Sequence, residues 1–354
     1  MKCPQCMNNQ RYMDGMICRS CGYHFALNPK KTPYITDMAL KNVIDRVSGN
    51  GQYHFTYIQL FAQIYRVIKK KRKLHGYQIG CLIFLLYFLF PGGFVIAVLQ
   101  ISEAPFARGL FVLYAVLGIS GLVWFARHPL KVPYSSVSET ISTYRKLHPT
   151  DRLVEGRAFR KPSSESFDEE IFQYAPDRIL IVEHIDIADM LILNRFHLEN
   201  KTLVVSGHKY PEHAFRACQQ FLSQHPDIPV MLIHDASEKG LRMKKRLLSD
   251  KFWNLRGKNV RDLGLFPRDA DRLRRPMWLP RAASVHRKIL CARKTADENI
   301  SQGYRMPVDI ASPRAMMGAV SLAAASGLAL LSEELLAEQQ RDASSGSFFG
   351  GGFG

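Results

Sequence analysis

The chain has 354 residues, with 48 Lys and Arg against 31 Asp and Glu and a net charge of +17, a length that accommodates two or three domains. Four of its seven cysteines fall within the first 21 residues, and ligand thiolates must stay reduced, which argues for the cytosol and against an oxidising compartment. The first long apolar run begins too far from the amino terminus for a cleavable signal.

Residues 1–27 read as a zinc ribbon. Cys3-Pro-Gln-Cys6 and Cys18-Arg-Ser-Cys21 are two Cys-x-x-Cys knuckles separated by eleven residues. Each knuckle supplies two thiolates on one tight turn, and two such turns complete a tetrahedral S₄ zinc site with no open position for catalysis. A redox dithiol pair is the other reading, for which two matched knuckles are unnecessary. Cys81, Cys218 and Cys291 read as packed or idle thiols.

Residues 34–75 read as a helical stalk. Ile35, Met38, Leu40, Val43, Ile44 and Val47 recur near a helical period, and after Gly49-Asn-Gly51 a second helix is predicted over 53–71. Its stripe of Tyr57, Leu60, Phe61, Ile64, Tyr65 and Ile68 ends in a basic cluster, so an interfacial helix on anionic lipid is an alternative.

Residues 79–126 carry two apolar runs, 79–99 and 106–126, each 21 residues long. At about 1.5 Å per residue, a helix of this length matches a hydrocarbon core of about 30 Å, so two transmembrane helices are expected. Arg66, Lys69, Lys70, Lys71, Arg72 and Lys73 precede the first, Arg127 and Lys131 follow the second, and the short connection offers only Glu103. That asymmetry predicts a multi-pass inner-membrane protein with both termini cytoplasmic and the lipid bilayer as a partner.

Residues 127–176 form a linker or helical segment, with Ser163-Ser-Glu-Ser166 marking its flexible part. Residues 177–311 then read strand, helix, strand, helix, strand. The apolar runs 178–183, 201–207 and 229–234 alternate with helical patterns, which implies a parallel α/β sheet whose ligands sit off the carboxyl ends of the strands. Glu183 and Asp235 both fall on that edge, and two carboxylates meeting there can hold Mg²⁺. His184, His208 and His234 lie near the same edge and offer a transition-metal or proton-transfer role, or are ordinary loop histidines.

From 241 to 294 there are 17 Lys and Arg against four Asp and no Glu. Phosphate neutralisation by such a region would give sequence-independent nucleic-acid affinity, with Trp253, Phe266 and Trp278 as stacking candidates. The candidate phosphate-binding residues are Lys209, Lys239, Arg242, Lys244, Lys245, Arg246, Arg272, Arg274 and Arg275. Anionic lipid and an acidic protein partner are the alternatives.

Residues 312–340 hold an apolar or amphipathic helix. Its run 315–331 is 17 residues long, short for a third span, so a buried or partner-packing helix is expected. The Gly/Phe tail, 341–354, is too glycine-rich to hold one conformation. Its Phe348, Phe349 and Phe353 could engage a protein partner, as could the zinc ribbon.

Val182-Glu183, Val205-Ser-Gly-His-Lys-Tyr-Pro211 and Asp235-Ala-Ser-Glu-Lys-Gly240, followed by Asp262-Leu-Gly-Leu-Phe-Pro-Arg-Asp269, together resemble the Toprim domain. The similarity is to the version found in the topoisomerase VI A subunit and its meiotic double-strand-break relatives, and it covers about 177–280. The resemblance implies a Mg²⁺ site at Glu183 and Asp235, nucleic acid as a partner, and pairing with a second copy. The chain departs from the pattern where Ser237 replaces the second Asp of the Asp-x-Asp pair, which leaves Ser237 or Glu238 as the third ligand. It departs again where His184 replaces a glycine, and the 127–176 stretch is too short for the winged helix carrying the family's nucleophilic tyrosine.

The sequence thus predicts a multi-domain membrane protein with a zinc ribbon, a transmembrane hairpin and a Toprim-like α/β domain. Its expected role is binding or scaffolding through recognition of nucleic-acid or nucleotide phosphates. The alternatives are a Mg²⁺-dependent phosphodiesterase using Glu183 and Asp235 as catalytic residues, and a structural platform without nucleic-acid affinity.

Overall fold

The computed structural model describes residues 1–31, 33–70, 120, 133–159, 176–273, 276–281, 289 and 294–326. The chain divides into two units, Met1–Ile64 with Pro133–Gly354, and Tyr65–Val132. At the centre of the first unit lies a parallel sheet of four strands, β1 (Arg178–Val182), β2 (Thr202–Ser206), β3 (Val230–Ile233) and β4 (Val260–Asp262), in the order β2-β1-β3-β4. Strands β1 to β3 are the three apolar runs of the sequence; β4, with its Val-Arg-Asp composition, carries no comparable signal.

Alternation of side chains along the strands builds two cores. Leu180, Val182, Val204, Met231 and Ile233 face one way, against Ile187 and Leu191. Ile179, Ile181, Leu203, Val205, Val230 and Leu232 face the other, against Ala214, Phe215, Cys218 and Leu222. A parallel sheet covered on both faces requires apolar residues at successive strand positions, which is why these strands read as unbroken Val/Ile/Leu runs. Each fully buried Val, Leu or Ile contributes roughly 1.5–3 kcal/mol relative to exposure.

Connections between parallel strands must cross over a face. The β1–β2 crossover contains Ile185–Leu193 and Phe196–Glu199, and the β2–β3 crossover contains Glu212–Gln224. Between β3 and β4 run the short helices Glu238–Leu241 and Met243–Ser249. The last described helix, Pro313–Ser326, buries Met316, Ala319, Val320 and Ala323 on the first core. The apolar run expected over 315–331 is therefore covered by the sheet across its described part, as a packed helix.

The amino-terminal segments belong to the same unit. Helix Asp37–Val47 is capped by Thr36, whose hydroxyl accepts from the Ala39 amide. Thr56 and Gln59 open the next helix as a reciprocal pair: the Thr56 amide donates to Gln59 Oε1 at 2.8 Å and the Gln59 amide to Thr56 Oγ1 at 3.2 Å. Leu60, Phe61 and Ile64 are at most 1% exposed, and Phe61 stacks on Tyr134 at 4.6 Å. Protein covers this part of the stripe, which corrects the reading of it as a lipid-facing surface. Asn194 fastens the chain just before it, exchanging two 2.8 Å hydrogen bonds with the backbone of His54. In the second unit, residues 65–70 are helical.

The expectation of a multi-pass membrane fold is overturned, because among the described residues no helix is long and apolar enough to cross a membrane. Helices Tyr134–Leu147 and Pro313–Ser326 have 14 residues each, about 21 Å at 1.5 Å per residue against a core of about 30 Å. Both are also amphipathic or covered by protein. The spans placed at 79–99 and 106–126 lie outside the described residues, Ser120 apart. The described residues thus give no support to a transmembrane hairpin or to the inner-membrane location built on it. What is described is an α/β fold with a four-stranded parallel sheet. The Gly/Phe tail also lies outside the described residues.

Candidate functional site

The carboxyl edge of the sheet gathers the charged residues. The Glu183 amide continues the β1–β3 ladder by donating to the Ile233 carbonyl at 2.9 Å, which fixes Glu183 one residue beyond β1. Asp235 lies two residues beyond β3, and its amide donates to Glu183 Oε2 at 3.0 Å. Gly240 closes in from the following helix: a Cβ there would overlap the Asp235 carbonyl oxygen and meet Glu183 Oε2 at 3.0 Å. Glycine is required at this position by close approach.

Asp235 is fully buried, and both its carboxylate oxygens are engaged. Oδ1 accepts from the Val308 amide at 2.9 Å. Oδ2 accepts from Arg305 Nη1 at 2.6 Å and from His184 Nε2 at 2.8 Å. Burial alone would raise this carboxyl, but His184 and then Arg305 outweigh it and hold Asp235 down to about 2. Burial would lower the His184 imidazole, yet Asp235 raises it to about 9. Arg305 comes from β6 (Tyr304–Arg305), which pairs with β5 (Leu279–Pro280). The Ala236 and Met306 backbones exchange hydrogen bonds at 3.1 Å and lay this segment across the sheet edge.

One turn further on, Asp309 is buried and accepts from Thr56 Oγ1 at 2.6 Å. Burial and the nearby Asp235 carboxylate push the Asp309 carboxyl upward. On the other side of Asp235, His234 Nε2 lies 3.0 Å from Asp262 Oδ1 at the end of β4, out of line for a hydrogen bond. Burial lowers the His234 imidazole, but Asp262 more than offsets this, leaving it raised.

Ligand atoms of Glu183, His184 and Asp235 lie within 4.8 Å of one another, the spacing of a cation site. The residues present nevertheless fit Mg²⁺ poorly. The Arg305 guanidinium already supplies positive charge to Asp235, and a hard divalent ion seeks free oxygen ligands. Ser237 caps the following helix, its hydroxyl accepting from the Gly240 amide at 3.0 Å. Glu238 turns outward, to Arg242 at 3.1 Å and Arg281 at 3.2 Å. Both are thus engaged with protein partners.

Around this edge the cations of the β3–β4 crossover are displayed outward. Lys239, Arg242, Lys245 and Arg246 are exposed and Lys244 half-buried. Arg246 reaches back to Gly207, its Nη2 3.5 Å from where a Cβ would stand, and its charge, after burial, lowers the neighbouring His208 imidazole. Lys209 pairs with Asp250 at 3.1 Å. Arg272 is exposed on helix Pro267–Arg272, and Arg274 and Arg275 lie outside the described residues. Trp253 and Trp278 are each 1% exposed, which removes both as stacking surfaces; Trp253 instead packs edge-on against Phe215 at 4.8 Å. Phe266 is half-buried, edge-on to His234.

The second cluster is the cysteine knuckle pair. Cys3, Cys6, Cys18 and Cys21 offer four sulfurs within 4.8 Å of one another, close enough to hold one metal ion. Cys3 to Cys21 and Cys6 to Cys18 are both 3.6 Å apart, far beyond a disulfide bond of about 2.05 Å. A tetrahedral site with metal–sulfur bonds of about 2.3 Å needs sulfurs about 3.8 Å apart, so the thiols fit a closed four-ligand centre.

Arg305, Thr56, Asp309 and the Val308 amide are the site residues that the sequence did not single out. Arg305 sits in Gly303-Tyr-Arg-Met306, which carries no motif, and it lies 70 residues from its partner. No family model matches the chain, and neither a curated protein nor a solved structure matches it.

Proposed function

We propose that this chain is a binding protein whose α/β unit recognises the phosphates of nucleic acid without cleaving them, and whose four cysteines hold a structural zinc ion. The observation that carries the non-catalytic reading is the saturation of Asp235 by Arg305, His184 and the Val308 amide. A metal-dependent phosphodiesterase needs that carboxylate free for its ion. The binding reading is supported by the exposed Lys239, Arg242, Lys245 and Arg246 on the same edge, because cations displayed together gain affinity by releasing counterions from phosphates. The Toprim resemblance of the strand-end motifs is consistent with a phosphate-handling ancestor whose metal chemistry has been replaced by an internal cation. Zinc is favoured for the thiols because four cysteines at tetrahedral spacing form the closed coordination it takes in structural sites.

The test is fluorescence anisotropy of the full chain with labelled oligonucleotides across a salt series, with and without Mn²⁺. Binding should weaken steeply with salt, and Arg242→Glu with Lys245→Glu should flatten the slope by about 1 for each phosphate no longer neutralised. Metal-dependent cleavage that disappears in Glu183→Gln would sink the non-catalytic reading; absence of binding at low salt would sink the nucleic-acid reading.

A further inference from the structure

Among the described residues of the α/β region, Phe252 is the only exposed aromatic that stands out, at 66% exposed. Its backbone is held at both ends. The Phe252 amide donates to Asp250 Oδ1 at 2.9 Å, and Gln219 Nε2 donates to the Phe252 carbonyl at 3.0 Å. The next residue, Trp253, is sunk in the core. The ring is thus presented by a fixed loop.

A cation accompanies it. Lys209 Nζ lies 4.0 Å from the centroid of the Phe252 ring and 3.1 Å from Asp250 Oδ2. Lys209 has φ +61°, a left-handed backbone conformation that is unfavourable for a residue with a Cβ. It stands in the turn after β2, which also carries Gly207, approached by the Arg246 guanidinium. Ring, ammonium and guanidinium therefore lie along one stretch of surface, and Lys251, the residue before Phe252, is also exposed.

A lone exposed apolar side chain is ordinary on a protein surface. What distinguishes Phe252 is the ammonium held against its ring and the surrounding positive charge. A largely exposed aromatic with an ammonium against one face suits a partner that brings a flat π-face and a phosphate together, as an unpaired nucleotide does. Duplex bases are already stacked on each other and cannot use the ring. We infer that Phe252 and Lys209 form a base-stacking platform, so that this surface selects single-stranded over duplex nucleic acid. The inference rests on the nucleic-acid reading above and specifies its ligand.

The test compares a labelled oligothymidylate with a duplex hairpin, binding each to the full chain and to Phe252→Ala and Phe252→Trp. Both replacements sit at an exposed position, and a circular dichroism melt of each verifies folding. Phe252→Ala should weaken the single strand at least about fivefold, the low end of what one stacked base contributes. Phe252→Trp should retain it, and duplex binding should be weaker and insensitive to both. Single-strand affinity unchanged in Phe252→Ala, or equal losses for both ligands, would overturn the platform while leaving phosphate binding intact. Failure of the unsubstituted chain to bind either ligand at low salt would instead overturn the nucleic-acid reading, and the platform with it.

Discussion

The Arg305 guanidinium lies 2.6 Å from the Asp235 carboxylate at the carboxyl edge of the sheet, joining residues 70 positions apart in the chain. Asp235 is 0% exposed, and a buried carboxylate deprived of its cation is far costlier than the intact pair is favourable. Arg305→Gln should therefore destabilise the fold by about 3 kcal/mol, read from urea denaturation. Asp235→Asn in the same chain should recover part of that loss, because the neutral amide no longer needs a charge partner. Equal stability of Arg305→Gln and the parent would show that the contact is idle.

The same cluster predicts a stability profile with two arms. His184 and Arg305 together hold Asp235 at about 2, below its ordinary value of about 3.9. Its contribution is present above pH about 4 and is lost as pH falls through about 2. Asp235 raises His184 to about 9, above the ordinary value of about 6.5. That contribution is fully present below pH about 6.5 and is lost as pH rises through about 9. Urea midpoints should form a plateau between pH about 4.5 and about 6.5, and His184→Gln should remove the decline on the alkaline side. An alkaline arm that survives the substitution would assign it to another group.

The thiol cluster predicts stoichiometric metal. The purified chain should carry about one zinc per molecule by inductively coupled plasma mass spectrometry, and Cys18→Ser should lose most of it, since a structural tetrahedral site tolerates the loss of a thiolate poorly. Removing the ion with a chelator should lower the thermal midpoint, because metal-binding energy is folding energy at such a site. Full retention of zinc in Cys18→Ser would remove this cysteine from the ligand set.

Some of this was legible in the residues because local spacing determines it. Two Cys-x-x-Cys turns can be read as one cluster, since each turn brings its own pair together before any tertiary structure forms. The apolar runs that became β1, β2 and β3 were legible because burial on both faces leaves every strand position apolar. The hydropathy reading of membrane spans had less to rest on. Apolar length registers that a segment is buried without registering what buries it; the run beginning at Ala315, too short for a span and expected to pack, lies on the first core through Met316, Ala319, Val320 and Ala323 in its described part. Trp253 and Trp278 misled for a related reason: a basic neighbourhood in sequence says nothing about which way an indole turns, and both went into the core.

The sequence by itself determined the cysteine cluster, the parallel α/β core and the arrival of Glu183 and Asp235 at one sheet edge. These follow from residue spacing, strand periodicity and the shared direction of parallel strands. Only the tertiary structure decided what meets those carboxylates. Arg305 reaches Asp235 because the Ala236–Met306 pairing lays its segment over the edge, and Thr56 reaches Asp309 across 253 residues. Contacts at such separations leave no periodicity in the chain, since they arise where independently placed elements pack against one another. They are also what turns a pair of carboxylates with metal-site spacing into an internally neutralised cluster.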